Sequence, residues 1–478
     1  MGLAALGLLL LLTRGASVAD AALHLDTAEG LWVRGSTALT FDPGALVVTT
    51  EPLAGGLVYL DEDGVVRSSQ SPGFALAALP FVVVGSELAT RSGAAPLSTV
   101  LDPLFVDDGR SFRGLLRPLA RDPRTIGLSL LGPLSGSATL VFVWLALAAL
   151  GVPRRRRAWI AAALFVSPLG VYAGTCWTQS VNAAALAFAT WRVVEAPRTE
   201  GASGWGAGVA LALAVAVRPD HVLLVPAFAL TVRDSPRRLA AVCLPVVLAA
   251  FGLWLHGLPR SAGGWSLETL AIGAPGLLVS PLTGVLIYAP FVALAPFGVT
   301  RSDPRLRWLL LVPLVQLVLY GGWFDWDATL ALGPRFLVPS LPVLAVFAGL
   351  VPGSLLAGCC KTHFGASTGA IRRASAGSLL RNGSLPWLVA AGAAVNLPAH
   401  LLAHARVPET HEFFQPAFLD AWRTLLFSSD DAVGPALDCV STYVPFYAWA
   451  ALATATAGLL ITRRRAPRAA RAEPALPR

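Results

Sequence analysis

Residues 126–157 read IGLSLLGPLSGSATLVFVWLALAALGVPRRRR: 25 residues without a charge (126–150), a short turn, then four consecutive arginines. A helix that crosses the hydrocarbon of a bilayer needs about 20 apolar residues. Arginines bunched just past such a stretch stay on the cytoplasmic side and set its orientation. The same signature recurs along the chain, and this decides the fold class. Of 478 residues 55% are hydrophobic and 13% charged, with mean hydropathy +0.65, where soluble proteins carry about 25% charged residues. The apolar stretches run continuously instead of alternating, which excludes a membrane β-barrel. The reading is an all-α polytopic membrane protein.

Working outward, further spans lie near 2–22, 158–176, 178–195, 205–218, 220–233, 239–256, 277–298, 306–322, 336–352, 385–402 and 441–462. Together these make about 12 crossings at the length a bilayer demands. The pair 205–218 and 220–233 is short and reads as two half-length helices meeting at Arg218-Pro219-Asp220, as polar breaks at membrane depth do. Residues 1–462 form one transmembrane domain, and the basic, Pro/Ala-rich 463–478 reads as a disordered cytoplasmic tail. Residues 1–22 are read as a retained first helix in preference to a cleaved signal ending at Ala19-Asp20-Ala21.

The +8 net charge does not point to nucleic acid. Its arginines fall in short clusters between spans: Arg154 to Arg157, Arg233 with Arg237 and Arg238, Arg301 with Arg305 and Arg307, Arg372 with Arg373, and Arg463 to Arg465. Keeping all of these on one side requires residues 72–90 to be a juxtamembrane segment interrupted by Pro80, within a long first extracytoplasmic loop of 23–125. A second, smaller loop spans 403–440. The five cysteines form neither a disulfide framework nor a metal-binding spacing. No P-loop, dinucleotide fingerprint, nucleophile elbow or His-Glu-x-x-His is present.

Four polar groups fall on the extracytoplasmic side. Asp26 follows the first apolar stretch, with Glu29 one turn later. A carboxylate at a membrane boundary is costly unless it is paired or used, and the alternative is a helix-capping box, Asp26-x-x-Glu29. Asp61-Glu62-Asp63-Gly64 is an acidic turn able to take a cation, and Ser71-Pro72-Gly73 puts a small backbone where a ligand can approach closely. Arg218-Pro219-Asp220-His221 offers a guanidinium to a lipid phosphate or an Arg218–Asp220 pair satisfied within itself. Trp323-Phe324-Asp325-Trp326-Asp327 with Gly333-Pro334-Arg335-Phe336 is either an interfacial aromatic belt or a sugar-phosphate site in which aromatic faces stack and Arg neutralises phosphate. His400, His404 and His411 make a weak metal set.

Four stretches in one order carry a resemblance: HLDTAEGLWVRGS (24–36), DGVVRSSQSPGFALAALPFVVVG (63–85), PGLLVSPLTGVLIYAPFVALAPFG (275–298) and GGWFDWDATLALGPRFLVPSLPVL (321–344). They resemble the GT-C superfamily of membrane glycosyltransferases, the group of the protein O-mannosyltransferases and the lipid A aminoarabinose transferase, in its bacterial branch. The chain departs from that pattern in its lone Asp26, where relatives carry adjacent acids, and in Ser-Pro-Gly where a Lys-Pro-Pro type sequence is usual. The resemblance implies a GT-C-like fold with juxtamembrane helices in the first loop. It implies an inverting transfer from a polyprenyl-phosphate sugar to an extracytoplasmic acceptor (lipid, glycan or protein) at the periplasmic face of a bacterial inner membrane. In that reading Asp26 is general base, or with Asp61 holds a divalent cation (Mg or Mn). Arg218, Arg335, Asp325, Asp327, Trp323, Trp326, Ser71 and Gly73 would bind substrate, and membrane lipids would be the remaining partners. The rival readings are a secondary transporter, an envelope polysaccharide polymerase or ligase, and an inactive lipid-binding relative.

Overall fold

In the computed structural model the described residues are 2–11, 19–40, 58–60, 65–68, 70–95, 97, 122–174, 177–198, 202–255, 264–281, 283–324, 326, 333–351 and 384–401. They are overwhelmingly helical. Among the described residues three helices are long and apolar enough to cross a membrane: Pro72–Ser92, Gly127–Ala149 and Pro236–Leu255. Shorter apolar helices pack around them, and several are entered through a 3-10 turn that begins at proline, as in Pro219–Leu224, Pro290–Leu294 and Pro304–Leu310. Proline suits the first turn of a helix because its missing N–H has no partner to lose there.

The helix Thr178–Glu195 lies between Pro123–Ala149 and Ala202–Val217, and Ala202–Val217 in turn packs on Pro236–Leu255. The main core runs through these contacts, with Phe228, Phe291 and Phe347 among its fully buried side chains. On Pro236–Leu255 a row of large apolar residues stays outside: Leu244, Val247, Leu248, Phe251 and Trp254 are each at least 46% exposed. A face that apolar on a helix of this length faces lipid.

The spans expected at 178–195, 239–256 and 385–402 correspond to helices Thr178–Glu195, Pro236–Leu255 and Ser384–Leu401. The break expected at Arg218 is present: its backbone is extended (φ −140°, ψ 103°) between Ala202–Val217 and Pro219–Leu224. The expected span 277–298 is instead broken. Helix Leu267–Val279 ends at Ser280, and short turns carry the chain on to Ala295–Val299, because Pro281, Pro290 and Pro296 each forbid an uninterrupted helical ladder.

Two corrections concern the first loop. Residues 72–90 were expected to be interrupted, yet Pro72–Ser92 is one helix of 21 residues with Pro80 inside it. Packing against the helix at 123–149 holds it together: an ideal Cβ at Gly127 would fall 1.9 Å from the carbonyl oxygen of Phe81, so the two backbones touch there. Of residues 2–22, helix Gly2–Leu11 and the start of helix Ala19–Arg34 are described; Asp26 lies inside the second helix and does not open a loop. A second, smaller core of Leu23, Leu25, Ala28, Phe74, Ala78, Val82, Leu128 and Leu131 glues that helix to its neighbours. A two-stranded hairpin, Val58–Leu60 with Val66–Ser68, is a small departure from the all-α expectation.

Candidate functional site

A cavity of about 310 Å³ opens where six chain segments meet: helix Ala19–Arg34 at His24, the start of Pro72–Ser92, the entry to Thr178–Glu195, the break at Arg218, the end of Leu311–Gly321 and the turn at Arg335. Among the expected residues it gathers Ser71, Arg218, Trp323 and Arg335. Trp177, Asp220, Tyr320 and Phe336 complete its polar and aromatic wall.

The geometry is a ladder of cations and rings. The Arg335 guanidinium lies 3.8 Å from the centre of the Trp177 ring and 5.7 Å from Phe336. Phe336 stacks on Tyr320 at 4.7 Å and 13°. On the same pair of rings, Arg218 lies 5.0 Å from Tyr320 and 5.6 Å from Phe336. Two guanidinium groups are thus held over one aromatic stack, an arrangement worth about 0.5–2 kcal/mol per cation–ring contact. Arg218 Nε is 3.4 Å from Asp220 Oδ1, and the Tyr320 hydroxyl donates to Asp220 Oδ2. His221 follows in the same 3-10 turn, and its Nε2 is 3.3 Å from the Gln316 amide nitrogen, which ties the Arg218 break to the 311–321 helix. The Trp177 Nε1 donor is buried without a hydrogen-bond partner among the described residues.

Ser71 and Gly73 act on this site through the backbone. Ser71 Oγ donates to the Ala216 carbonyl. An ideal Cβ at Gly73 would lie 2.0 Å from that same carbonyl oxygen. The close approach expected of Gly73 is therefore made to the protein, at the last turn before Arg218, and it fixes where Arg218 leaves the helix.

Asp26 does not line the cavity. It is fully buried inside Ala19–Arg34. Its Oδ2 accepts from Thr40 N at 2.7 Å and its Oδ1 from Thr40 Oγ1 at 2.7 Å, with Arg34 3.9 Å away. Burial pushes the Asp26 carboxyl above its ordinary range, opposed by the Thr40 bonds and Arg34. The capping box is not formed, because Asp26 stands well past the helix start. Glu29 faces Arg124 at 3.6 Å and accepts from Ser86 Oγ at 3.1 Å, while Arg124 is locked onto Asp122. His24, two residues before Asp26, does reach the cavity and packs on Phe74 at 4.4 Å.

Trp326 is a core residue: it seats against Gly273 and Gly276 of Leu267–Val279. Asp61, Asp325, Asp327, His404 and His411 lie outside the described residues, as do residues 403–440 and 463–478. Among the described residues no group of three or more His, Cys, Asp or Glu comes together. Among the described residues the carboxylate lining the cavity is Asp220, and it is committed to Arg218. Reading the sequence missed Trp177 and the Tyr320–Phe336 stack, because these rings come from three separate segments; their local signal is an aromatic beside each helix break.

No protein-family model matches the chain, and no curated protein matches it. Among solved structures it is similar to ArnT from Cupriavidus metallidurans in the apo state, at 14% identity and TM-score 0.42, covering 88% of this chain and 72% of that one. It is also similar to the same protein bound to undecaprenyl phosphate, at 14% identity and TM-score 0.43, covering 92% of this chain and 76% of that one. At these values the functional reading rests on the chemistry of the cavity.

Proposed function

We propose that this chain is a membrane glycosyltransferase that moves a sugar from a polyprenyl-phosphate donor to an acceptor at the periplasmic face of a bacterial inner membrane, with inversion. The observation that carries the reading is the pairing of Arg218 and Arg335 over one aromatic stack in a single cavity. A phosphate needs paired guanidinium donors, a sugar ring needs aromatic faces, and a prenyl chain needs an apolar wall beside them.

In this reading Arg218 and Arg335 hold the donor phosphate and stabilise the charge that grows on it as the sugar leaves. The Trp177 N–H is a further donor for a phosphate or sugar oxygen. Asp220 keeps Arg218 oriented, as does the Tyr320 hydroxyl through Asp220. Asp26 is assigned as the general base: burial raises its affinity for a proton, the direction a base needs, and it stands on the helix whose His24 lines the cavity. The Thr40 hydroxyl that donates to it occupies the place such an acceptor would take, so Thr40 has to give way first. No step is routed through a metal.

The test offers the full-length protein labelled polyprenyl-phosphate sugars with envelope extract as acceptor. Label must leave the lipid with wild type and be retained with Arg335→Gln. Release that is equal for both proteins removes Arg335 from the site; no release from any donor by folded protein overturns the proposal and favours transport.

A further inference from the structure

The arginine clusters also build a second site, distinct from the cavity. The end of helix Val225–Thr231 packs against the 3-10 segment Pro304–Leu310. A groove of about 720 Å³ opens there, with Arg233, Arg305, Arg307 and Trp308 at its charged end. Its wall continues over Leu310, Leu311 and Leu314. In the sequence Arg233 and Arg307 belong to separate clusters, and only the fold brings them together. Arg305 is paired with Asp303 at 3.0 Å, and the Arg233 guanidinium lies 5.6 Å from the Trp308 ring. Among the described residues neither Arg233 nor Arg307 forms an ion pair, so against the one remaining carboxylate, Asp234, the groove keeps a net positive charge.

The groove shares no residue with the cavity. The cavity touches the 311–321 helix at Leu319 and Tyr320, the groove at Leu311 and Leu314. The nearest of these, Leu314 and Leu319, are five residues apart along that helix, about 7.5 Å. Arg233, Arg305 and Arg307 all belong to the clusters that the charge bias of the sequence assigns to the cytoplasmic side. The apolar wall is open: Leu314 is 52% exposed and Trp308 37%.

We propose that this groove binds the phosphodiester headgroup of an anionic phospholipid of the cytoplasmic leaflet, with its acyl chain against Leu310, Leu311 and Leu314. Basic pockets between membrane helices on that side take anionic headgroups, and a guanidinium reads two phosphate oxygens at once. Charge complementarity selects the occupant, and the leucine wall running away from the arginines requires one with a chain. A free phosphate would use the arginines and leave that wall open. This inference uses no cavity residue and stands apart from the transferase reading.

The experiment is native mass spectrometry of the full-length protein in neutral detergent, titrated with phosphatidylglycerol or phosphatidylcholine. Wild type should retain phosphatidylglycerol preferentially. Each guanidinium near a lipid surface contributes about 1 kcal/mol, or roughly fivefold. Arg233→Gln with Arg307→Gln should therefore weaken retention about 25- to 30-fold. Arg154→Gln with Arg155→Gln, at another exposed basic cluster, should leave it unchanged. Should the double groove variant not fold, Arg307→Gln alone, at an exposed position, reads the same effect at about fivefold. Equal retention by wild type and groove variants overturns the proposal. So does an equal loss in the Arg154/Arg155 control, which would mean diffuse charge. Displacement of the lipid by inorganic phosphate also overturns it, since that would mark a small-anion site.

Discussion

Replacing Asp26 by Asn separates what this residue does for the fold from what it does for chemistry. Its carboxylate is fully buried and accepts two bonds from Thr40, each 2.7 Å. Asn keeps one acceptor oxygen, and its amide can donate to a turned Thr40 hydroxyl. The loss is then one bond to a charged group, about 1.5–3 kcal/mol. Against it stands the relief of no longer burying a charge, which is several kcal/mol per ion in protein interiors. The two nearly cancel, so Asp26→Asn should melt within about 1 kcal/mol of wild type. Transfer should nevertheless fall about 10²- to 10⁴-fold, the contribution of a positioned base. The assay is single-turnover release of labelled sugar from its lipid, run beside thermal unfolding in the same detergent. A folded Asn variant that transfers within about tenfold of wild type would refute the assignment and move the chemistry to another acid. Asp220→Asn, measured in parallel, should instead raise the donor KM by loosening Arg218.

The other expectations follow from the same geometry. Because burial raises the Asp26 carboxyl above its ordinary value of 3.8, the folded state holds that proton more tightly than the unfolded one. Wild type should therefore be most stable relative to Asp26→Asn below that value, lose the advantage as pH rises through the raised one, and stay level above it; unfolding at a series of pH values checks this, and a flat difference contradicts it. Arg335→Lys keeps the charge and loses the fork over Trp177, so the donor KM should rise by about tenfold, and more with Arg335→Gln. Gly73→Ala would drive a methyl into the Ala216 carbonyl and should destabilise by about 1–3 kcal/mol, with transfer falling further as Arg218 is displaced; an unchanged melt would show that the contact relaxes freely.

The membrane character was legible because hydrophobic runs and arginine clusters act locally, through burial and orientation. The break at Arg218 was legible for the same reason, since an Arg-Pro-Asp sequence carries its own backbone preference. Pro80 was misread because its helix survives on contacts with Gly127 and its neighbours, which lie far along the chain. Asp26 was misread in position: its neighbours in sequence suggest a cap or an open loop, and only the packing of Leu23, Leu25 and Ala28 makes it a buried helix residue held by Thr40.

By itself the sequence determined the class of solvent this chain folds in, most of its helices, and the residue types that meet a phosphate or a sugar. Periodicity, charge bias and proline chemistry are properties of short segments and survive being read one segment at a time. Which of those residues share a cavity was decided by the tertiary structure alone. Trp177, Arg218, Tyr320 and Arg335 converge from four segments, while Asp26 and Trp326 are turned into packing. Cation–ring contacts and buried hydrogen bonds act over a few ångströms in space, and separation along the chain does not encode that distance.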